Sequence, residues 1–269
     1  MKRSGEDEVV ESVMQYASVW KVLVGTIPGA DLTDRPGLSI RWADADFPFW
    51  NAVFLTEQLA DERVLNNRLE EASAFLREKG KVGLVYICHD FLSDAARERL
   101  PAAVAKEKLE LVLPVYGMAG NILPLKTPIH PSLRIERVKD QAQLQAYADI
   151  NSEAYEFPLE WARSGLLGST FWKEVAYAYL GYEEGVPVSA ACVVVNSGSL
   201  YLALVATRPP AQRKGFGEAT VRHALQAAYE ATGLKRTILH ATDAGSPVYR
   251  RVGYQRTAEF LAYKRIDVL

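Results

Sequence analysis

Apolar side chains recur along the chain in two periods, one typical of helices and the other typical of strands. Residues 6–22 and 60–79 carry them at helical spacing, and Gly80 ends the second of these segments. Short apolar runs predict strands at residues 38–42, 50–56, 82–88 and 109–116, with a further helix starting at Asp94. The first half is therefore predicted to be a helix followed by strands and helices in alternation.

Residues 117–131 follow neither period and contain Pro124, Pro128 and Pro131. Such a stretch is typical of a connection between domains. We therefore predict two domains, at residues 1–130 and 131–269.

The second domain starts again with a strand and then runs through a longer series of elements. The same patterns predict strands at residues 133–138, 176–182, 187–196, 200–207, 237–241 and 254–264, and helices at residues 141–155, 160–165, 170–174, 218–232 and 247–252. Glycine-containing turns separate the three central strands, which predicts hairpins. This order predicts an α/β (mixed α+β) fold, with a mixed and mostly antiparallel sheet flanked by helices.

Composition narrows the possible classes of protein. Hydrophobic residues make up 49% of the 269 residues, and the formal net charge is −2. These values indicate a folded chain and argue against a general nucleic-acid binder. No signal peptide or membrane-spanning run is evident, so we expect a cytoplasmic protein without a membrane partner. Two isolated cysteines, Cys88 and Cys192, and four scattered histidines predict no metal site.

The stretch with the clearest chemistry is Gln212-Arg213-Lys214-Gly215-Phe216-Gly217, which lies between a predicted strand and a predicted helix. Backbone N–H groups at the start of a helix attract anions, and glycines let an anion approach the backbone closely. Two basic side chains add positive charge. A glycine turn alone also fits a plain loop, and the stretch matches neither the nucleotide-triphosphate nor the dinucleotide motif.

Two motifs together resemble the GCN5-related N-acetyltransferase family. Residues 205–217 resemble its strand leading into [Gln/Arg]-x-x-Gly-x-[Gly/Ala], and residues 247–254 resemble its second signature, a Tyr on a short helix that ends in Gly-Tyr. The resemblance covers about residues 133–269. It implies an acyl-CoA N-acyltransferase-like fold and acetyl-CoA as co-substrate.

The resemblance also implies roles for individual residues. Residues 212–217 (Gln212, Arg213, Lys214, Gly215, Phe216 and Gly217) would bind the pyrophosphate of acetyl-CoA. The backbone of Leu204, Val205 and Ala206 would pair with its pantetheine arm like an added strand. Tyr249 would donate a proton to the leaving thiolate, although a purely packing role is the alternative. Cys192 is not required as a nucleophile, because the amine can attack the thioester directly.

Two departures from the family pattern leave roles open. Many members carry a general-base Glu on the strand before the glycine turn, whereas residues 200–207 contain no carboxylate. Glu153, Glu156 or Glu160 could act through water, or they are ordinary surface carboxylates and there is no base. Thr242 stands where many members have an Asn that touches the cofactor, and it can still form a hydrogen bond.

Residues 155–161 would wall the acceptor pocket in this family. Their aromatic side chains suit an apolar or aromatic acceptor, or simply pack on the core.

The first half repeats part of the element order of the second half, which suggests a degenerate copy. Its corresponding turn, residues 56–62, has several acids and no glycine, so we expect no CoA site there. This half would instead stabilise the fold or shape the acceptor cleft.

The sequence therefore predicts an N-acetyltransferase that moves an acetyl group from acetyl-CoA directly to a primary amine on a small molecule or peptide. A homodimer is compatible with this prediction. The alternative is a non-catalytic CoA-binding or regulatory module.

Overall fold

The computed structural model describes residues 4–121 and 130–268. The first half contains α1 (Gly5–Val24), β1 (Asp34–Arg35), β2 (Leu38–Trp42), β3 (Asn51–Leu55), α2 (Glu62–Lys79), β4 (Leu84–Cys88), α3 (Asp94–Lys106) and β5 (Leu109–Asn121). Local signals fix the helix ends. Asp61 caps the N-terminus of α2 by accepting a hydrogen bond from the Val64 N–H, and Gly80 ends the helix in a left-handed conformation.

The second half contains β6 (Leu133–Arg137), α4 (Gln141–Ala154), α5 (Leu159–Leu166), α6 (Phe171–Glu174), β7 (Ala176–Glu183), β8 (Val186–Asn196), β9 (Ser199–Thr207), α7 (Phe216–Thr232), β10 (Arg236–Ala241), α8 (Ser246–Val252) and β11 (Gln255–Arg265). These bounds confirm the predicted elements to within a few residues. Among the described residues, no helix has the length and apolar character needed to cross a membrane.

The chain divides into two compact units. The first unit comprises residues 1–117, 240–244 and 256–269, and the second comprises residues 118–239 and 245–255. Most of β11 therefore belongs to the first unit, although it follows the second unit in sequence. The last residues of β5, Met118–Asn121, conversely belong to the second unit.

The first unit is a mixed sheet covered by helices. Strands β2 and β3 pair antiparallel, β3 and β4 pair parallel, and β4 pairs antiparallel with β11 through Val85–Cys88 and Phe260–Tyr263. The parallel pair is joined by α2, as a parallel connection requires. Apolar side chains of α2 and α3, including Leu69, Leu76 and Leu100, form one buried cluster with these strands.

The second unit is mostly antiparallel. Strands β6, β7, β8 and β9 pair antiparallel in sequence order, and β9 pairs in parallel with β10. Helix α7 makes the connection between β9 and β10. Its Val221, Ala224, Leu225 and Ala228, the stripe that the sequence spacing defines, are all buried.

The predicted linker is wrong at its start. Gly117–Asn121 continue β5, because Met118 and Ala119 are buried and hold the strand in the sheet. The rest of the linker at residues 122–129, with Pro124 and Pro128, lies outside the described residues. The compact units divide at residues 117/118, and each takes in later segments of the chain. The predicted domains at residues 1–130 and 131–269 stay a prediction. The degenerate origin and missing CoA site of the first half stay predictions.

Candidate active site

Strand β9 is kinked where the sequence predicts cofactor binding. Its register with β8 shifts between Ala190 and Cys192, so that β9 contains one extra residue near Leu204. Leu204 has a φ of 51°, an unusual value for a residue other than glycine. Such an insertion is a β-bulge, which bends the strand and interrupts its pairing.

The bulge marks the point where β9 leaves β10. The parallel pairing between them covers Leu200–Leu202 and Thr237–Leu239 and ends there, whereas β9 continues to Thr207. The strand therefore turns its Ala203–Thr207 edge away from the β10 ladder. Such an edge can pair with an extended chain of hydrogen-bonding groups.

Tyr147 of α4 holds the bulge. Its hydroxyl donates a hydrogen bond of 2.7 Å to the Leu204 carbonyl. Tyr147 is fully buried and its ring packs against Trp172. Because the peptide unit is trans and planar, the Val205 N–H points in the opposite direction, away from Tyr147.

The turn after β9 directs a series of backbone donors to one place. Among the described residues, the N–H groups of residues 213–218 have no hydrogen-bond acceptor, and the first bond of α7 is from Ala219 to the Gly215 carbonyl. Arg213 and Gly215 have φ values of 62° and 87°, so the chain turns tightly just before the helix. Unsatisfied N–H groups at a helix N-terminus form an anion site.

Packing shows why glycines occupy positions 215 and 217. Gly215 lies in the left-handed region that favours glycine. A Cβ atom at Gly217 would lie 2.7 Å from the Thr207 Oγ1 atom, so the Thr207 side chain would have to shift to admit any other residue. His130 closes the back of the turn, where its Nε2 lies 2.9 Å from the Lys214 carbonyl oxygen and its ring packs against Phe216.

Charges around the turn are only partly neutralised. Arg213 is exposed, and the Lys214 ammonium lies 3.5 Å from the Glu183 carboxylate. Glu218, in the first turn of α7, binds both Arg222 and Arg251. Partial burial alone would raise the pKa of the Glu218 carboxyl, but the hydrogen bonds from these two arginines outweigh it and hold the pKa below 4.5. The ion pair with Arg251 also ties α8 to the start of α7.

Tyr249 lies on α8 and is buried, with 9% of its surface exposed. Burial raises the pKa of its phenol, with smaller contributions from Tyr155 and Tyr254. The phenol is therefore protonated throughout the neutral range.

The other candidate groups have plain structural surroundings. Cys192 is fully buried in β8 and burial raises the pKa of its thiol, so it is not a nucleophile at neutral pH. Glu153 lies 3.3 Å from the Arg208 guanidinium, and Glu156 and Glu160 are exposed. Among the described residues, no cluster of three or more potential metal ligands occurs.

The second unit therefore contains Leu204–Ala206, Gln212–Gly217 and Tyr249. Thr242 instead belongs to the first unit, in the loop after β10, and its contact with a cofactor stays a prediction. Sequence patterns did not single out Tyr147, His130 or the Glu218–Arg251 pair. Tyr147 has the spacing of an ordinary core residue on an amphipathic helix, so only its hydrogen-bond partner reveals its role.

Part of the sequence matches the model of a known protein family. Residues 143–254 match the model of the acetyltransferase (GNAT) family. These residues are a GNAT domain. The match confirms the predicted family for the C-terminal half and assigns the domain to the acyltransferase enzymes. The matched residues contain the bulge, the glycine turn and Tyr249, and residues 1–142 and 255–269 lie outside the match.

Solved structures extend the likeness in fold to the whole chain. A GCN5-related N-acetyltransferase from Kribbella flavida is 18% identical, with a TM-score of 0.70 and 95% of each chain covered. Another from Sphaerobacter thermophilus is 13% identical, with a TM-score of 0.62, and the alignment covers 97% of this chain and 93% of that one. No curated protein matches the chain at a comparable level of significance. The likeness confirms the predicted acyl-CoA N-acyltransferase-like fold. It covers nearly the whole chain, including the GNAT domain.

Proposed function

We propose that the GNAT domain transfers an acetyl group from acetyl-CoA directly to a primary amine. The observation that carries this proposal is the bulged edge of β9 beyond the end of its pairing with β10 at Leu202. This edge leads into a turn whose N–H groups have no acceptor in the part of the chain that the structure describes. The edge suits an extended amide-containing arm, and the turn suits a pyrophosphate. Acetyl-CoA has these two parts in this order.

The reaction follows from the groups present. The nitrogen of a neutral amine attacks the thioester carbon, so that a C–N bond forms and the C–S bond breaks. Backbone N–H groups of β9, with that of Val205 turned away from Tyr147, stabilise the oxyanion. Tyr249 donates its proton to the departing thiolate. The amine releases one proton to solvent, and the Tyr249 phenolate takes up one proton from solvent.

The pyrophosphate site is tested by a matched pair of glycine variants. Gly215→Ala and Gly198→Ala place the same side chain at φ values of 87° and 77°, and neither Cβ atom meets a neighbour closer than 3.6 Å. Both variants carry similar backbone strain, but only Gly215 lies in the anion turn. We expect calorimetry to show weaker CoA binding for Gly215→Ala alone. Equal CoA affinity in the two variants would refute the pyrophosphate site.

The acid role is tested with Tyr249→Phe. Removal of a general acid lowers kcat by about 100-fold or more, whereas the KM for acetyl-CoA should not change. Tyr254→Phe is the control, because its buried hydroxyl bonds the Thr237 hydroxyl at 2.6 Å. Full turnover by Tyr249→Phe with an accepted amine would show that this phenol is not the acid.

A non-catalytic CoA-binding module is the second candidate, because β9 carries no carboxylate that could act as a base. Release of thiol from acetyl-CoA in the presence of a panel of amines separates the two functions. Tight CoA binding with no amine-dependent thiol release would favour the module.

A further inference from the structure

One carboxylate joins the start of α7 to α8. Glu218 lies in the first turn of α7, and 19% of its side chain is exposed. Its Oε1 atom accepts hydrogen bonds from the Nε and Nη2 atoms of Arg222 at 3.0 and 2.9 Å. Its Oε2 atom accepts one from the Nε atom of Arg251 at 3.0 Å. We call Glu218, Arg222 and Arg251 the Glu218 bridge.

Backbone carbonyls of α8 complete the bridge. The Nη2 atom of Arg222 also donates to the Arg251 carbonyl at 3.1 Å, and the Nη1 atom of Arg251 donates to the Pro247 carbonyl at 3.2 Å. Pro247 lies in the first turn of α8 and Arg251 lies in its last turn. The bridge therefore holds α8 along its whole length, through more bonds than a single surface ion pair provides.

Tyr249 lies on another face of α8 from the bridge. Two residues correspond to about 200° of rotation around a helix, so the Tyr249 and Arg251 side chains point to different sides. The Tyr249 side chain is buried, whereas 59% of the Arg251 side chain is exposed. A helix of seven residues is too short to be stable alone. The placement of Tyr249 therefore depends on contacts that hold α8 from outside.

The same carboxylate belongs to the turn that we propose as the pyrophosphate site. Glu218 supplies one of the N–H groups of residues 213–218, which have no acceptor among the described residues. An anion bound to these groups would order the Glu218 backbone, and the Glu218 side chain leads on to Arg251. Two guanidinium groups and one carboxylate leave the bridge with a net positive charge, so it does not repel an anion.

We propose that Arg251 is a positioning residue, which acts through Glu218 to hold α8 with Tyr249 in place for proton transfer when the cofactor occupies the turn. This inference rests on the proposed acetyl transfer and adds a link between cofactor binding and the acid. Arg251 itself exchanges no proton with the substrates.

The role of Arg251 is tested with Arg251→Met at saturating acetyl-CoA. Loss of its bonds to Glu218 and Pro247 should lower kcat by about 2- to 5-fold, the range for a partly exposed ion pair. Arg250→Met is the matched control, because it removes the same charge from the neighbouring, exposed position on α8. It should keep the unmodified kcat. Equal values of kcat in the two variants would overturn the proposal.

The route through Tyr249 is tested by the same substitution in a Tyr249→Phe background. If Arg251 acts by placing the phenol, Arg251→Met should lower kcat no further once the phenol is absent. A residue that only stabilises the fold would lower kcat by the same factor in both backgrounds. That result would assign Arg251 a structural role and refute the positioning role.

Hydrogen exchange tests the bridge without turnover. Absence of amine-dependent thiol release by the unmodified protein would count against the transfer reaction alone. CoA should still slow exchange at the end of α8, where the Gly253 N–H donates to the Tyr249 carbonyl at 3.1 Å. The slowing should persist in Arg250→Met and disappear in Arg251→Met. No slowing in the unmodified protein, or equal slowing in Arg251→Met, would show that the bridge does not link the turn to α8.

Discussion

Tyr147→Phe removes one hydroxyl and should disturb the bulged edge of β9, where we propose that the cofactor binds. The hydroxyl donates to the Leu204 carbonyl at 2.7 Å, in a region where Tyr147 is fully buried. Leaving such a carbonyl without its partner costs about 1–3 kcal/mol. The left-handed conformation of Leu204 itself costs about 1–2 kcal/mol. The hydrogen bond from Tyr147 and the backbone strain at Leu204 are therefore of similar size. Without the hydrogen bond, β9 should relax toward regular pairing.

Two quantities should therefore change together. A loss of about 1 kcal/mol lowers the Tm by about 2–4 °C in a protein approaching this size. If the bulge shapes the edge for acetyl-CoA, a similar loss of binding energy raises the KM for acetyl-CoA by about 5- to 10-fold. Differential scanning calorimetry and initial-rate kinetics measure the two effects.

The control is Tyr177→Phe on β7. The Tyr177 ring lies beneath the Arg137 guanidinium at 5.3 Å, a contact that Phe preserves. It should leave both Tm and KM nearly unchanged. A lower Tm in Tyr147→Phe with an unchanged KM for acetyl-CoA would show that the bulge is structural only. An unchanged Tm would refute the assigned strength of the hydrogen bond.

Other predictions follow from the same site. Gly217→Val should weaken CoA binding and lower the Tm, because its Cβ atom would lie 2.7 Å from the Thr207 hydroxyl oxygen. Glu218→Gln should flatten the acid limb of a plot of stability against pH. The depressed pKa of Glu218 contributes stability above about pH 4.5, and this contribution is lost as the pH falls through the folded-state value. Cys192→Ala should keep the unmodified kcat, and iodoacetamide should not label Cys192 in the folded protein, since burial raises its thiol pKa.

The sequence predicted the helices and strands of the chain well, because neighbouring residues determine where each helix or strand begins and ends. The stripe of α7, the glycines at its ends and the hairpin turns before it are all visible in neighbouring residues. The glycine turn and the position of Tyr249 were predictable for the same reason, although their roles remain proposals.

Features that depend on tertiary contacts were not predictable. Nothing in the sequence of β9 marks Leu204 as the bulged residue, because leucine does not favour the left-handed region. Its stabilising partner, Tyr147, lies 57 residues away. The continuation of β5 past Gly117 depends on burial of Met118 and Ala119, which the many prolines that follow obscured. Register and partner choice in a sheet are set by such distant contacts.

The position of β11 has a consequence for how the protein is made. Strand β4 of the first unit receives β11 through residues 260–263, which the ribosome adds more than 170 residues after Cys88. The first unit thus remains without one strand while the whole second unit is synthesised, and the edge of β4 stays open to incorrect pairing. Long-range pairing of this kind slows folding. We expect nascent chains that end before β11 to require a chaperone.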